Sequence, residues 1–179
     1  MKKVNVIDLD NTLLPYDSFG RLVKKELKSL DLFVWYISGL RIMRLLSNNI
    51  FKHLLIKYWE KKHTKIFFNS YAEAIYNELD TRVLDIVTSK TDINTINILI
   101  SASPHLYVKR LLILLNWSGS GSYFEEGVFV NLYSKEKISW LMNNFPKSEF
   151  FYQFSISDSK SDIELMQLFD ESILWSNKM

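Results

Sequence analysis

Apolar positions Val4, Val6, Ile7 and Leu9 run almost without interruption, the pattern of a strand covered on both faces of a parallel sheet. That run leads into Asp8-Leu9-Asp10-Asn11-Thr12-Leu13. From position 18 to about 90 the period lengthens, and apolar residues at helical spacing predict helices over 19–30, 32–46, 50–62, 65–79 and around 81–89. Aromatics such as Phe33, Tyr58, Trp59, Phe68 and Tyr71 recur on the apolar faces and read as the core of a small bundle. Beyond this zone short apolar strands alternate with helices. Strands are expected over 96–100, 128–130, 150–156 and 172–175, and helices over 105–115, 135–144 and 161–169. Gly119, Gly121 and Gly127 read as punctuation of a loop and hairpin. The alternation predicts an α/β fold: a three-layer, Rossmann-like sandwich around a mainly parallel sheet, with right-handed crossovers. An all-helical subdomain, 18–90, is inserted into a core made of 1–17 and 91–179.

Length and composition narrow the picture. A chain of 179 residues with 47% hydrophobic content can bury one core that carries an insertion. With no cysteine, a disulfide framework and a thiolate metal site are both excluded, and cytoplasm is the expected compartment. Lys2 and Lys3 resemble the start of a secretion signal, but Asp8 and Asp10 interrupt the apolar stretch, so no such signal is expected. The most apolar long window, 32–46, contains Arg41 and Arg44 and is too short to span a bilayer. It reads as a buried or interfacial helix, which leaves membrane-surface contact open and a transmembrane segment unexpected. A net charge of +2 argues against nucleic acid as a partner. The basic residues concentrate between 18 and 90, which makes the insertion anion-attracting and the remainder acidic.

That acidity is focused. Asp8 and Asp10 share one side of the chain if it stays extended, at the carboxyl end of an early strand. A second pair, Asp158 and Asp162, follows the strand 150–156. Four carboxylates converging on one sheet edge repel unless a divalent cation and a lysine offset them, and oxygen ligands alone point to Mg2+. Lys137, Lys135 and Lys160 all compete for the lysine role. After the strand 96–100, Ser101-Ala102-Ser103-Pro104 reads as a strand-to-helix junction, with Pro104 in the first helical turn and free N–H groups able to hold an anion. His53, His63 and His105 have no mutual spacing that suggests a metal site or a triad.

Taken in order, the DxDxT element at Asp8, Ser101 after a strand, Lys137 opening a helix, and Asp158 with Asp162 give a pattern that resembles the haloacid dehalogenase superfamily of phosphohydrolases. The insertion looks like that superfamily's C1-type cap, and the arrangement is most similar to the branch containing phosphoserine phosphatase. The resemblance implies that Asp8 is the nucleophile and Asp10 the general acid and base. It implies phosphoryl contacts from Thr12, Ser101 and the N–H of Ala102, with charge stabilisation by Lys137. It also implies Mg2+ held by Asp8, the backbone carbonyl of Asp10 and Asp158, with Asp162 orienting Lys137 or a metal-bound water. Ser103 competes with Ser101 as the anion ligand. Asp162 is equally suited to a helix start. Asp17 lies where phosphoserine phosphatases carry a substrate-contacting Glu, and could instead cap the helix that follows. Ser157 stands where a Gly usually precedes the metal Asp, and Asn11 replaces the commoner Gly.

The function expected is a Mg2+-dependent phosphomonoester hydrolase acting through an aspartyl-phosphate on a small phosphorylated substrate, such as a sugar, amino-acid or lipid-linked phosphate. The alternatives are a phosphotransferase or phosphomutase on the same scaffold, or a noncatalytic module binding a membrane surface or a partner protein.

Overall fold

The computed structural model describes residues 1–176. The chain enters at strand β1 (Lys2–Ile7) and then forms five consecutive helices: α1 (Ser18–Lys28), α2 (Leu32–Ile42), α3 (Asn48–Lys62), α4 (Lys65–Tyr76) and α5 (Thr81–Ser89). There follow β2 (Thr95–Pro104), α6 (His105–Leu115), β3 (Ser118–Glu125), β4 (Val128–Val130), α7 (Lys135–Asn144), β5 (Phe150–Ser157), α8 (Ile163–Met166) and β6 (Glu171–Leu174). The strands make one six-stranded sheet in the order β4-β3-β2-β1-β5-β6. All pairings are parallel except the β3–β4 hairpin. From β1 the chain builds outward through β2, β3 and β4, then returns to add β5 and β6 on the opposite side. The strand order therefore reverses at β1, and its carboxyl end opens between β2 and β5, where ligands of parallel sheets sit.

Alternation along the central strands builds two cores. Val4, Val6, Ile98, Ile100 and Tyr152 pack with Leu141 of α7 and Leu165 of α8 on one face. Ile7, Leu99, Phe154 and Ile156 pack on the other with α6 and the five helices, through residues such as Leu22, Trp59, Tyr71 and Tyr107. Tyr152 and Phe154 reach opposite faces because the β1–β5 register shifts there: Val4 pairs with Tyr152 and Asn5 with Phe154, leaving Gln153 as the extra residue of a bulge. Among the described residues, no helix is long and apolar enough to cross a membrane.

Several boundaries differ from the sequence reading. The first two helices stop early, at Lys28 and Ile42, where Leu30 (φ 59°) and Arg44 (φ 62°) turn into the left-handed region. Leu9 belongs to the turn after β1 rather than to the strand. Gly119 and Gly121 are strand residues, not loop punctuation. A β-carbon at Gly119 would stand 1.9 Å from the Leu99 carbonyl oxygen, and one at Gly121 2.3 Å from that of Ser103. These glycines are there because β3 approaches β2 too closely for any side chain. That pairing carries β2 on through Pro104, which immediately precedes α6 instead of occupying its first turn. The helix expected over 161–169 reduces to a 3-10 turn, Lys160–Asp162, and the short α8.

Candidate active site

The turn after β1 presents the first pair of carboxylates. The Leu14 N–H donates to the Leu9 carbonyl, five residues back, at 2.8 Å, and Asn11 inside the turn adopts φ 57°. Asparagine tolerates this left-handed geometry better than most side chains, which suits it to the turn. Asp8 remains tied to the sheet, its N–H donating to the Ile156 carbonyl at 3.0 Å.

Lys137, buried on α7, joins two carboxylates from distant segments. Its Nζ donates to Asp8 Oδ1 at 2.7 Å and to Asp162 Oδ2 at 2.6 Å. Lys135 and Lys160 are exposed. Asp162 makes no capping bond to α8. It accepts instead from Ser157 Oγ at 2.8 Å, so this serine braces the ion pair. Thr12 links the other pair. Its Oγ1 accepts from the Asp158 N–H at 2.8 Å and lies 3.4 Å from Asp158 Oδ1 and 3.5 Å from Asp8 Oδ2. One hydroxyl proton serves one of these carboxylates at a time.

Asp10 is held differently. Its Oδ1 accepts from the Ser18 N–H at 2.7 Å and its Oδ2 from Ser103 Oγ at 2.5 Å. Ser18 Oγ lies 3.0 Å from Ser103 Oγ and 2.9 Å from Tyr107 OH, which extends the network to α6. Ser103 is thereby committed to Asp10. Ser101 accepts the Ser103 N–H at 3.0 Å and lines a cavity of about 170 Å3 together with Asp8, Asp10, Ala102, Lys137 and Asp158.

No family model matches the chain, and comparison with curated proteins returns no match. Solved structures do match. A HAD family hydrolase from Salmonella enterica subsp. enterica serovar Typhi aligns with TM-score 0.54 and 12% identity, over 93% of this chain and 60% of that one. A phospho-aspartyl intermediate analogue of phosphoserine phosphatase aligns with TM-score 0.50 and 11% identity, over 97% of this chain and 94% of that one. The chain has the HAD hydrolase fold. An apo phosphoserine phosphatase gives TM-score 0.50 and 10% identity over 98% and 94% of the two chains, so the fold is of the phosphoserine-phosphatase type. At these identities the likeness is one of architecture.

Within this HAD fold the cavity is electrostatically loaded. Burial pushes Asp8 up to about 6, against the pull of Lys137 and with the charges of Asp162 and Asp10 adding to the rise. Burial also raises Asp10, opposed by its bonds from Ser103 and Ser18, and raises Asp158, with the Asp8 charge second. For Lys137 burial works against the charge, and the Asp8 and Asp162 carboxylates outweigh it, so the ammonium is retained well above its ordinary range. A further cation is relevant to this balance. Asp8, Asp10 and Asp158 line the same cavity, and the Asp10 side chain is held there by Ser18 and Ser103. Among the described residues no three His, Cys, Asp or Glu side chains group as a metal site. The carboxylates of Asp8 and Asp158, completed by water, form an oxygen-only donor set that suits Mg2+, which keeps several waters when bound.

Two expected contacts lie off the cavity. Thr12 is fully buried behind Asp8 and Asp158, and Asp17 is exposed and accepts the Gly20 N–H at 3.0 Å as the cap of α1. Asn11, Tyr133, Ser159 and Ser161 line the cavity without having been singled out as lining residues. Lys52 of α3 was also missed as a site residue. Its Nζ donates to the Ala102 carbonyl at 3.1 Å, and burial lowers its proton affinity despite the nearby Asp10 and Asp17. A larger cavity, about 500 Å3 between α3, α4, α6 and β3, shares no lining residue with the acidic one and holds none of these carboxylates.

Proposed function

We propose that the chain is a Mg2+-dependent phosphomonoester hydrolase that works through an aspartyl-phosphate on Asp8. The observation that carries this reading is Lys137 bridging Asp8 and Asp162 beside a cavity that Asp10, Ser101 and Asp158 also line. Asp8 attacks phosphorus while Asp10 gives its proton to the leaving oxygen. Asp10 then takes a proton from the water that attacks the aspartyl-phosphate, and inorganic phosphate departs. The buried Asp10, raised above the ordinary carboxyl range, suits a group that must hold a proton before the first step. Ser101 and the N–H of Ala102 receive phosphoryl oxygens, and Lys137, oriented by Asp162 and Ser157, offsets the charge that develops on them. When bound by Asp8, Asp158 and the Asp10 carbonyl, Mg2+ supplies further charge neutralisation on the transferring group.

In this reading residues 18–90 act as a C1-type cap on a core of 1–17 and 91–179, the last three of which lie outside the described residues. Lys52 brings a cap cation to the phosphate loop, and the basic, aromatic-rich cap suits a small phosphorylated substrate, whether a sugar, an amino-acid or a lipid-linked phosphate. The test is release of inorganic phosphate from a panel of phosphomonoesters, with Mg2+ and with chelator. Wild type is expected to turn over one class in a Mg2+-dependent manner, and Asp8→Asn to lose at least about a thousandfold in kcat. Activity that survives Asp8→Asn overturns the nucleophile assignment. Transfer to an added alcohol without free phosphate would make the chain a phosphotransferase instead.

A further inference from the structure

Helix α2 is apolar on two sides. Val34 and Ile37 turn inward and are buried, while Leu32, Trp35, Tyr36, Ile42 and Met43 recur at helical spacing on the outward side, each 54% to 83% exposed. Leu30 and Leu45, on the turns that flank the helix, widen the patch. Scattered apolar residues on a surface are ordinary, but a contiguous stripe of this kind marks an interaction face. A helix that is hydrophobic all round belongs in a core or in lipid.

The charge around the stripe selects between occupants. Residues 32–59 contain no Asp or Glu, and Arg41, Arg44, Lys52 and Lys57 fall within them. Arg44 and Lys57 are exposed. The nearest preceding acids are neutralised within the molecule: Lys62 pairs with Glu26 at 2.6 Å and also with Asp31. Lys52 turns instead to the Ala102 carbonyl, and Lys57 lies one helical turn before the exposed Glu60, so the cations that border the stripe are Arg41 and Arg44 at the end of α2. Trp35 already donates its indole N–H to the Leu27 carbonyl at 3.0 Å, which leaves the apolar ring surface facing out. Aromatic and aliphatic side chains beside the two arginines match the boundary between anionic headgroups and acyl chains. At 11 residues α2 is too short to span.

We propose that α2 docks the chain on the surface of an anionic bilayer, lying in the plane of the interface with Leu32, Trp35, Tyr36, Ile42 and Met43 below the headgroups. This inference does not depend on the phosphatase reading, because its test measures no turnover. The full chain is co-sedimented with vesicles of phosphatidylcholine alone and with vesicles containing phosphatidylglycerol. Saturable binding to the anionic vesicles is expected, much weaker binding to the neutral ones, and a loss of about tenfold or more in Ile42→Asp and in Tyr36→Asp. Both substitutions replace exposed side chains, so an unchanged melting temperature will separate lost docking from lost folding. Brominated acyl chains should quench tryptophan emission on binding, and Trp35→Phe should remove that quenching while keeping the sedimentation. Absence of binding to anionic vesicles, or binding indifferent to Ile42→Asp, overturns the proposal. Self-association that Ile42→Asp abolishes, without vesicle binding, would assign the face to a second copy of this chain and overturn it equally.

Discussion

Asp8 sits where burial and neighbouring carboxylates work against its ionisation, and only Lys137 pulls the other way. Its folded value of about 6 lies above the ordinary 3.8 of an unperturbed Asp. A raised carboxyl group holds its proton longer in the folded state, so its contribution to stability is complete below pH about 4 and is lost as pH rises through about 6. Asp10 and Asp158 are shifted in the same direction and reinforce the trend. Metal-free protein is therefore expected to melt lower at pH 7.5 than at pH 5. Asp8→Asn should raise the pH 7.5 melting temperature, by an amount corresponding to on the order of 1 kcal/mol, and leave the acid value nearly unchanged. Calorimetry across pH, with and without Mg2+, checks this; the metal should stabilise wild type most where Asp8 is ionised. Asp8, Asp10, Asp158 and Asp162 stood out in the sequence because each follows a strand, whereas spacing left Lys137 level with Lys135 and Lys160, and only its bonds to Asp8 and Asp162 single it out. The division of labour between Ser101 and Ser103 was not legible there either. Two hydroxyls two residues apart at a strand end differ only in what lies opposite each, and Asp10 from another segment decides it.

At the scale of elements, β3 shows what periodicity misses. Its glycines resemble turn residues in the sequence, yet Gly119 and Gly121 are buried or half-buried in the sheet and only Gly127 turns the hairpin. The distinction predicts different costs. Gly119→Ala places a β-carbon against the Leu99 carbonyl at 1.9 Å, at φ 138°, and should destabilise by about 3 kcal/mol or more, since backbone must move. Gly127→Ala, at φ 82° with nothing within 4 Å, should cost only about 1 kcal/mol from the left-handed backbone. Urea denaturation of the two variants measures the contrast. The five helices were readable from apolar spacing, but their ends were not: Leu30 and Leu45 are apolar and exposed, so counting hydrophobic positions carried the first two helices too far.

For the whole molecule, the parallel sheet and its layers followed from the alternation of strands and helices, and the switch point at β1 explains why acids from opposite ends of the chain meet. Lys52 could not be read in the same way, since its place over Ala102 depends on how α3 lies across β2. If α3 supplies substrate contact, Lys52→Met should raise KM by about tenfold and change kcat less, as steady-state kinetics on the turned-over phosphomonoester will show. The central claim is that Asp8 accepts the phosphoryl group beside a Mg2+ that Asp158 helps to hold. A crystal structure grown with Mg2+ and beryllium fluoride tests it most directly. The account predicts beryllium bonded to an Asp8 oxygen, with Mg2+ contacting Asp8 and Asp158 and Lys137 reaching the fluorides. Beryllium bonded elsewhere, or Mg2+ bound away from both aspartates, would contradict it.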